Sequence, residues 1–390
     1  MAYIPRQADK LLTDWLKSGK ILILLGARQV GKTTLISHLL KLHPGRIINL
    51  DVEVDKAEIL AAKNLAPSEA LKILGSPAIL AIDEAQRLPE IGRIVKGWFD
   101  RGIAAKIILS GSSSLNLIGQ TAESLTGRNE KLCLPPLLFD EILKYQSWYP
   151  AFSKQPVQIQ PQLLSLLKQT LIFGSYPEAV TSAEKEKYLL NLSADYLLKD
   201  ILALGTVKNP DWLKRLLLLL ARQIGSLVSV NELALTLSTS RQTVEKYLDL
   251  LEQTQVIFRL GGYSTNLRKE ISRSKKIYFW DNGIRNALIK DFSFSDYRSD
   301  IGQLWENWVV AETAKQNLLS GSLADLYFWR SRNGAEVDLV VKKSGKLTPL
   351  EIKWSSRKTH GTKAFRTAYG VSPKIITKDN FTACLKQLLS

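Results

Sequence analysis

The chain has 390 residues, of which 45% are hydrophobic and 23% are charged. This composition is typical of a globular protein and excludes a largely disordered or membrane-embedded chain. The length exceeds what a single compact core accommodates, so two or three domains are expected. The formal net charge of +16 favours a polyanionic partner, and nucleic acid is the commonest polyanion in a reducing cytoplasm. A basic surface without a specific partner is the alternative.

Signals for a membrane or for export are lacking in the stretches that would carry them. The longest leucine run, 216–220, is far shorter than the roughly 20 apolar residues that cross a bilayer. Residues 1–20 are interrupted by charged side chains, unlike a secretory signal. Cys133 and Cys384 have no neighbour at metal-ligand spacing, which fits a reducing compartment. We therefore expect a cytoplasmic protein that is not bound to a membrane.

Residues 21–134 alternate short apolar runs with amphipathic stretches, the pattern of a parallel sheet with crossover helices. The predicted strands are 21–25, 46–50, 78–82 and 106–109. A proline pair at 135–136 and a proline- and glutamine-containing stretch at 150–161 then interrupt the pattern. The sequence therefore predicts an α/β domain within residues 1–150.

A glycine-bounded loop follows the first predicted strand. Residues 26–33 read GARQVGKT, the complete Walker A pattern, and a helix-compatible run comes directly after them. In such a loop the backbone N–H groups surround phosphates, the lysine reaches the β- and γ-phosphates, and the hydroxyl binds Mg²⁺. The residues predicted to contact ATP are Gly26, Ala27, Arg28, Gln29, Val30, Gly31, Lys32, Thr33 and Thr34. Thr33 is predicted to be the Mg²⁺ ligand among them.

A second strand ends in two carboxylates, Asp83 and Glu84. Asp83 is predicted to position Mg²⁺, and Glu84 to polarise the water that attacks the γ-phosphate, so ATP hydrolysis is expected as well as binding. Ser110, after the strand 106–109, is a candidate γ-phosphate sensor, and Arg128 a candidate phosphate contact in the same or a neighbouring subunit. An ordinary serine-rich loop and a surface arginine are the alternatives.

The leucine-rich region 151–262 has helical spacing, and its last third predicts a helix-turn-helix, with helices at 229–238 and 241–253. An apolar face with i, i+3, i+4 and i+7 spacing runs along the second helix. The residues predicted to contact DNA from the opposite face are Arg241, Gln242, Thr243 and Lys246. A packing or dimerisation module is the alternative. A basic stretch, 268–276, follows.

Residues 263–390 return to mixed α/β character. Strands are predicted at 325–330 and 336–342, and a hairpin would bring Asp338 next to Glu351 and Lys353. Two carboxylates near a lysine are what Mg²⁺-dependent phosphodiester hydrolysis needs, with Asp338 and Glu351 as metal ligands. Glu306, on a predicted helix, is a candidate addition to this centre. A charged hairpin edge is the alternative.

In this order, the motifs resemble those of predicted bacterial and archaeal AAA+-type P-loop ATPases fused to a C-terminal domain of unassigned function that is similar to PD-(D/E)xK nucleases. The segments that carry the resemblance are GARQVGKTTL, AIDEAQ, LSGSSS, SLTGR, FGSYPEAV, IYFWDNGI, LWENWV, EVD and EIK. We therefore predict an AAA+-type ATPase domain in 1–150, a helical region with a winged helix-turn-helix in 151–262 and an α/β domain in 263–390. The resemblance implies that this last domain is restriction-endonuclease-like. The functional residues that it implies are Lys32, Thr33, Asp83 and Glu84 for nucleotide, and Glu306, Asp338, Glu351 and Lys353 for the nuclease-like centre.

These patterns predict an enzyme that binds ATP and Mg²⁺, hydrolyses ATP and couples this turnover to DNA binding or processing, with a Mg²⁺-dependent nuclease centre as a further activity. The alternative is an ATP-dependent switch whose C-terminal domain is an inactive DNA- or protein-binding module. A third reading has no nucleic acid, and the basic surface serves protein contacts. Assembly into a homo-oligomer is left open.

Overall fold

The computed structural model describes residues 3–111, 125–150, 160–196, 209–265, 275–293, 298–321, 324–355 and 362–388. The chain divides into two compact units, residues 1–135 (the first unit) and 136–390 (the second unit). Parts of the predicted serine loop, 112–114, and of the basic stretch, 268–274, lie outside the described residues. None of the helices in the described ranges combines the length and apolar content that crossing a bilayer requires.

A parallel sheet with helices forms the first unit. Its strands are β1 (Ile21–Leu25), β2 (Gly45–Asn49), β3 (Ile79–Asp83), β4 (Lys106–Gly111) and β5 (Asn129–Cys133). Its described helices of five residues or more are α1 (Gln7–Trp15), α2 (Lys32–Leu42), α3 (Glu53–Ala62), α4 (Pro67–Ile73) and α5 (Ile91–Asp100). The strand order is β2-β3-β4-β1-β5, and all neighbouring strands are parallel. The predicted α/β domain with a parallel sheet is confirmed.

The central strands of this sheet carry the core because most of their residues are apolar. β1 and β3 are buried at every residue, as expected of a parallel sheet covered on both faces. The apolar stripe of α5, including Ile91, Val95 and Trp98, packs in the same core. Since parallel strands end at the same edge, the carboxyl ends of β1, β3 and β4 lie close together.

The second unit combines helices with a mixed sheet. Its described α-helices are α6 (Phe139–Tyr145), α7 (Gln160–Phe173), α8 (Pro177–Thr181), α9 (Lys185–Asn191), α10 (Pro210–Arg222), α11 (Val230–Thr236), α12 (Arg241–Gln253), α13 (Asn282–Ile289), α14 (Ile301–Ser320), α15 (Thr362–Tyr369) and α16 (Phe381–Leu388). Its strands are β6 (Leu227–Val228), β7 (Ile257–Gly262), β8 (Lys275–Phe279), β9 (Asp325–Arg330), β10 (Glu336–Lys343), β11 (Lys346–Ile352) and β12 (Lys374–Ile376). They form one sheet in the order β12-β11-β10-β9-β7-β8-β6.

The two predicted helices of the helix-turn-helix are observed as α11 and α12. Each begins at a serine whose side chain accepts a backbone N–H: Ser229 from Glu232 at 3.3 Å and Ser240 from Thr243 at 3.1 Å. These N-caps satisfy amide groups that a helix start leaves unpaired. The apolar positions Val244 and Leu251 are buried, so α12 turns its predicted apolar face inward.

The sheet passes from β6, β7 and β8 directly into β9 to β12, because β7 pairs with β9 in parallel through Gly261 and Gly262. The predicted boundary at 262–263 lies between β7 and β8, which are paired neighbours, and the three-part division stays a prediction. The pairing of β10 with β9 shifts by one residue between Val337 and Val340, which is a bulge. Asp338 is located in this bulge, a feature that often re-aims side chains at functional sites.

Candidate nucleotide site and carboxylate cluster

The loop between β1 and α2 requires glycine at both ends. A Cβ on Gly26 would lie 2.6 Å from the carbonyl oxygen of Leu134, too close for any other residue. Gly31 has φ +97°, a left-handed conformation at the N-cap of α2 that side chains disfavour. The backbone therefore turns tightly from a buried strand into a helix whose amino end borders the loop, the geometry that binds phosphate.

Lys32 lies inside this loop. Its side chain is buried, and Nζ donates hydrogen bonds to the carbonyl oxygens of Gly26 at 2.9 Å and Ala27 at 3.0 Å. Those carbonyl groups belong to the loop that would surround the phosphates. The ammonium group is thus already at the site where the Walker A pattern predicts it to act.

The first turn of α2 and the ends of β3 and β4 bring their polar side chains together next to the loop. Thr33 Oγ1 donates to Asp83 Oδ2 at 2.6 Å, and Ser110 Oγ donates to the other carboxylate oxygen, Oδ1. Asp83 and Ser110 are buried. A hydroxyl and a carboxylate in contact form an all-oxygen donor set, which is what Mg²⁺ prefers, so the residues present fit this ion.

Glu84 follows Asp83 in a left-handed backbone conformation, with φ +51°, which is uncommon for a residue other than glycine. Its carboxylate accepts a hydrogen bond from the side-chain amide of Gln86. The side chain of Glu84 is half-buried: Gln86 contacts its carboxylate, and part of the side chain is exposed to solvent. Gln86 was not among the predicted site residues, although it stands two residues after Glu84 in the sequence DEAQ.

The other predicted nucleotide contacts differ in exposure. Val30 is buried, Arg28 is half-buried, and Gln29 and Thr34 are exposed. Gln29 has φ +61°, a second left-handed residue in the loop.

Arg128 lies at the opposite end of the sheet from the loop. Its carbonyl accepts from the N–H of Ile21, the first residue of β1, and the loop begins after the last residue of that strand, about 13 Å further on. Its guanidinium pairs with Asp100 at 2.5 Å. The structure therefore does not bring Arg128 to the phosphate loop of its own chain, because β1 and β5 are parallel and Arg128 precedes β5. A contact in a neighbouring subunit stays a prediction.

Arg6 is a residue of this site that the sequence patterns did not indicate. It is buried and donates to the carbonyl oxygens of Val30 at 3.0 Å and Pro135 at 2.7 Å. Val30 belongs to the phosphate loop, so Arg6 ties the segment before α1 to that loop. Many arginines precede a helix, so a single sequence does not identify Arg6 as a residue of the nucleotide site.

Relatives of this chain are found in bacteria and archaea. An uncharacterized protein of Mycobacterium tuberculosis is 30% identical over 357 residues, which cover 90% of this chain and 74% of that protein. This chain belongs to the family of the mycobacterial protein. An uncharacterized protein of Methanocaldococcus jannaschii is 27% identical over 335 residues, covering 83% of this chain and 72% of that protein.

Three domain families match successive parts of the chain. They are the AAA domain at residues 18–143, the domain of unknown function DUF8612 at 164–295 and the domain of unknown function DUF4143 at 301–383. A Walker-type ATPase of Pyrococcus abyssi has a similar fold, with a TM-score of 0.52 and 15% identity, covering 74% of this chain and 96% of that one. Residues 18–143 are therefore an AAA-type P-loop ATPase domain, as predicted.

The predicted DNA-contacting residues lie at the amino end of α12, outside the AAA domain. Arg241, Gln242 and Lys246 are exposed, and Thr243 is half-buried because its N–H and hydroxyl contact the Ser240 cap. The exposed side chains point away from the buried apolar face of the same helix.

Arg259, on β7, binds the acidic side chains of α12. Its guanidinium lies 2.5 Å from Asp249 and Glu252 and 3.4 Å from Glu245. Burial lowers the pKa of Arg259, but these carboxylates outweigh that effect and the net pKa is raised. The negative charges of the helix are thereby neutralised on the side that faces the sheet.

In the C-terminal part, the hairpin of β10 and β11 brings together the residues predicted there. Leu339 pairs with Leu350, so the register, continued by one residue, sets Asp338 opposite Glu351. Asp338 Oδ2 accepts the N–H of Ile352 at 2.7 Å and lies 3.5 Å from Lys353 Nζ. Asp338 and Glu351 are buried. Two carboxylates and a lysine thus share one end of the hairpin.

Glu306, on α14, makes different contacts. Its Oε1 accepts from Lys276 Nζ at 3.0 Å and from the hydroxyl of Tyr278 at 2.7 Å. Lys276 Nζ also lies 2.5 Å from Glu336 Oε1. Burial raises the pKa of Glu306, and Lys276 opposes only part of that shift. Burial also raises the pKa of Tyr278, and the nearby charges of Glu306 and Asp338 add to it.

Lys276 and Tyr278 were not predicted as part of this centre. They come from β8, and only the pairing of β7, β8 and β9 brings that strand to β10. Within the described residues, no group of three or more His, Cys, Asp and Glu side chains is arranged to hold a metal ion. The name carboxylate cluster is used here for Glu306, Glu336, Asp338 and Glu351.

Proposed function

We propose that this chain hydrolyses ATP and couples the turnover to DNA binding or processing. The observation that carries the proposal is the contact of Thr33 with Asp83, next to the loop that holds Lys32, in an AAA-type ATPase domain. Lys32 and Thr33 come from the first turn of α2 and Asp83 from the end of β3, and the three side chains converge where a triphosphate would lie.

Each residue of the site has a chemical role in this proposal. Lys32 exchanges its hydrogen bonds with the loop carbonyls for bonds to phosphate oxygens. Thr33 and Asp83 would hold Mg²⁺, which when bound neutralises charge on the β- and γ-phosphates. Glu84 accepts a proton from the attacking water, while Gln86 keeps its carboxylate oriented. Ser110 keeps Asp83 in position through its hydrogen bond to Oδ1.

The second unit supports a role for DNA. The element order β6, α11, α12, β7 and β8 is the order of a winged helix-turn-helix, in which the second helix enters the major groove. Arg241, Gln242 and Lys246 are exposed there, and the net charge of the chain is +16. Arg259 supports the same reading, because unneutralised carboxylates on α12 would repel phosphate.

Duplex DNA binding at several salt concentrations tests this role. Arg241→Ala and Lys246→Ala should each weaken binding and, for each phosphate contact removed, reduce the salt slope by about 0.9. Lys187→Ala, an exposed lysine on α9, is the matched control and should bind like wild type. Wild-type protein without salt-dependent binding would contradict the DNA role and favour protein contacts for the basic surface.

The C-terminal hairpin favours a further activity, Mg²⁺-dependent cleavage of DNA. Asp338 and Glu351 would hold the ion, and Lys353 would stabilise developing charge or orient water. Branched, single-stranded and duplex DNA should be offered to wild type, Asp338→Ala and Lys353→Ala with Mg²⁺. Cleavage by wild type alone supports the nuclease, whereas equal inactivity of all three contradicts it.

The second candidate is an ATP-dependent switch whose C-terminal domain only binds DNA or protein. The observation that favours it is the pairing of Glu306 and Glu336 with Lys276, which engages two carboxylates of the cluster without a metal. Measuring the mass in solution with and without ATP would test whether the chain forms a homo-oligomer. Assembly only with ATP would fit a switch in which Arg128 reaches a neighbouring subunit.

A further inference from the structure

Arg259 joins β7, the first strand after the helix-turn-helix, to one side of α12. Its side chain is 15% exposed. Nε donates to Glu252 Oε2 at 2.8 Å, Nη2 donates to Asp249 Oδ1 at 2.5 Å, and Nη1 donates to Glu245 Oε2 at 3.4 Å. The backbone N–H of Arg259 also donates to Glu252 Oε1, at 3.0 Å. The planar guanidinium, with its five N–H groups, thus engages three carboxylates of a single helix.

These three carboxylates form one stripe along α12, called the acidic stripe here. Glu245, Asp249 and Glu252 follow the spacing i, i+4 and i+7, so they lie on the same side of the helix. Their side chains are 44%, 51% and 33% exposed. Without Arg259 they would be uncompensated charges, open to solvent, on the helix that is proposed to contact DNA.

The acidic stripe is also within reach of the basic residues of the same helix. Glu245 follows Arg241 by four residues, and Asp249 follows Lys246 by three, the spacings at which opposite charges on a helix pair. Within the part of the chain that the structure describes, neither Arg241 nor Lys246 forms an ion pair. The carboxylates that could pair with them are bound by Arg259 instead.

We propose that Arg259, by binding the acidic stripe, prevents Arg241 and Lys246 from pairing within α12 and leaves both cations available to DNA phosphates. Arg259 is therefore a positioning residue, because it acts through α12 while its own side chain is largely enclosed. This inference rests on the proposed DNA role of α12, and it adds the residue that makes this helix competent to bind.

Duplex DNA binding by the full-length protein at several salt concentrations, without ATP, tests the inference. Arg259→Met should weaken binding about tenfold at low salt, because the acidic stripe then repels phosphate and pairs with Arg241 and Lys246. The salt slope should fall by about 0.9 for each phosphate contact that is lost. Arg366→Met is the matched control, since Arg366 is an exposed arginine on α15 and the change in net charge is the same. It should bind DNA like wild type.

Removal of the competing carboxylates separates this role from a merely structural one. Arg259→Met combined with Glu245→Gln and Asp249→Asn should bind DNA within about threefold of wild type, because the interaction between the sites makes their effects non-additive. Arg259→Met combined with Glu184→Gln and Glu186→Gln has the same net charge but leaves the acidic stripe intact, so it should stay weak. Equally weak binding by both combinations would make Arg259 a packing residue and overturn the inference.

Arg259→Lys provides a second variant if Arg259→Met does not fold, as judged by thermal unfolding. An ammonium group keeps the charge but cannot bridge three carboxylates as the guanidinium fork does. Its DNA binding should be about threefold weaker than wild type, and Glu245→Gln with Asp249→Asn should restore it. If wild type binds DNA and both Arg259 variants bind equally well, the inference alone is overturned. If wild type shows no salt-dependent binding, the proposed DNA role is contradicted and the inference falls with it.

Discussion

Thr33 Oγ1 lies 2.6 Å from Asp83 Oδ2, although 50 residues separate them in the chain. The contact joins the first turn of α2 to the carboxyl end of β3. It depends on β1 and β3 ending at the same edge of the sheet, with β4 between them. The position of a Mg²⁺ ligand is thus set by the topology of five parallel strands.

Lys32→Ala should abolish ATP hydrolysis and weaken ATP binding at least about tenfold, because charge-assisted hydrogen bonds to phosphate are lost. Calorimetric titration with ATP and a phosphate-release assay measure the two effects. Lys41→Ala, an exposed lysine in the last turn of the same helix, should behave like wild type. Unchanged binding by Lys32→Ala would mean that the loop is not the nucleotide site.

Glu84→Gln should bind ATP with near wild-type affinity and hydrolyse it about 10²- to 10⁴-fold more slowly, because the amide cannot accept a proton from water. Single-turnover hydrolysis separates this step from product release. Glu53→Gln, an exposed glutamate at the start of α3, serves as the control. If Glu84→Gln retains full turnover, another residue activates the water.

Arg6→Met should weaken ATP binding and destabilise the first unit. The carbonyl groups of Val30 and Pro135 lose a buried charged donor, and each unsatisfied group costs about 1–3 kcal/mol. Thermal unfolding with and without ATP measures both effects, with Lys10→Met on the exposed side of α1 as the control. A variant that is less stable but has the wild-type KM for ATP would make the role of Arg6 structural only.

The stability of the second unit should depend on the protonation of Glu312. Burial raises the pKa of this carboxyl group from 4.5 to about 6, and Lys315 opposes only part of the shift. The folded chain holds the proton more tightly, so the stabilisation is present below pH 4.5 and is lost as the pH rises through about 6. At most it amounts to about 2 kcal/mol.

Glu312→Gln isolates this titration. In the wild-type chain Glu312 Oε1 accepts the N–H of Phe139 at 2.6 Å, and the amide oxygen of the variant can accept the same N–H. The thermal midpoint of the variant minus that of wild type should increase as the pH rises from 4.5 to 7. Glu186→Gln, an exposed glutamate on α9, should show a constant difference. If the difference in thermal midpoint between Glu312→Gln and wild type were also independent of pH, the pKa of Glu312 would be near its ordinary value.

Local patterns sufficed for the nucleotide loop because strand, loop and helix follow one another without interruption. Gly26 and Gly31 act through backbone geometry, and Lys32 through side-chain contacts within the same loop, so their positions could be predicted from spacing alone. The hairpin that brings Asp338 to Glu351 was predictable for the same reason, since a turn of a few residues sets the register of adjacent strands.

Contacts between distant parts of the chain could not be predicted in this way. Arg6 and Pro135 are 129 residues apart, and Lys276 and Glu306 are 30 apart, with no periodic signal between them. Sheet order decided that Arg128 lies at the far end of β1 and that β8 brings Lys276 to the carboxylates. Chain order therefore specifies which residues are available, whereas burial of apolar faces in two sheets decides which of them meet.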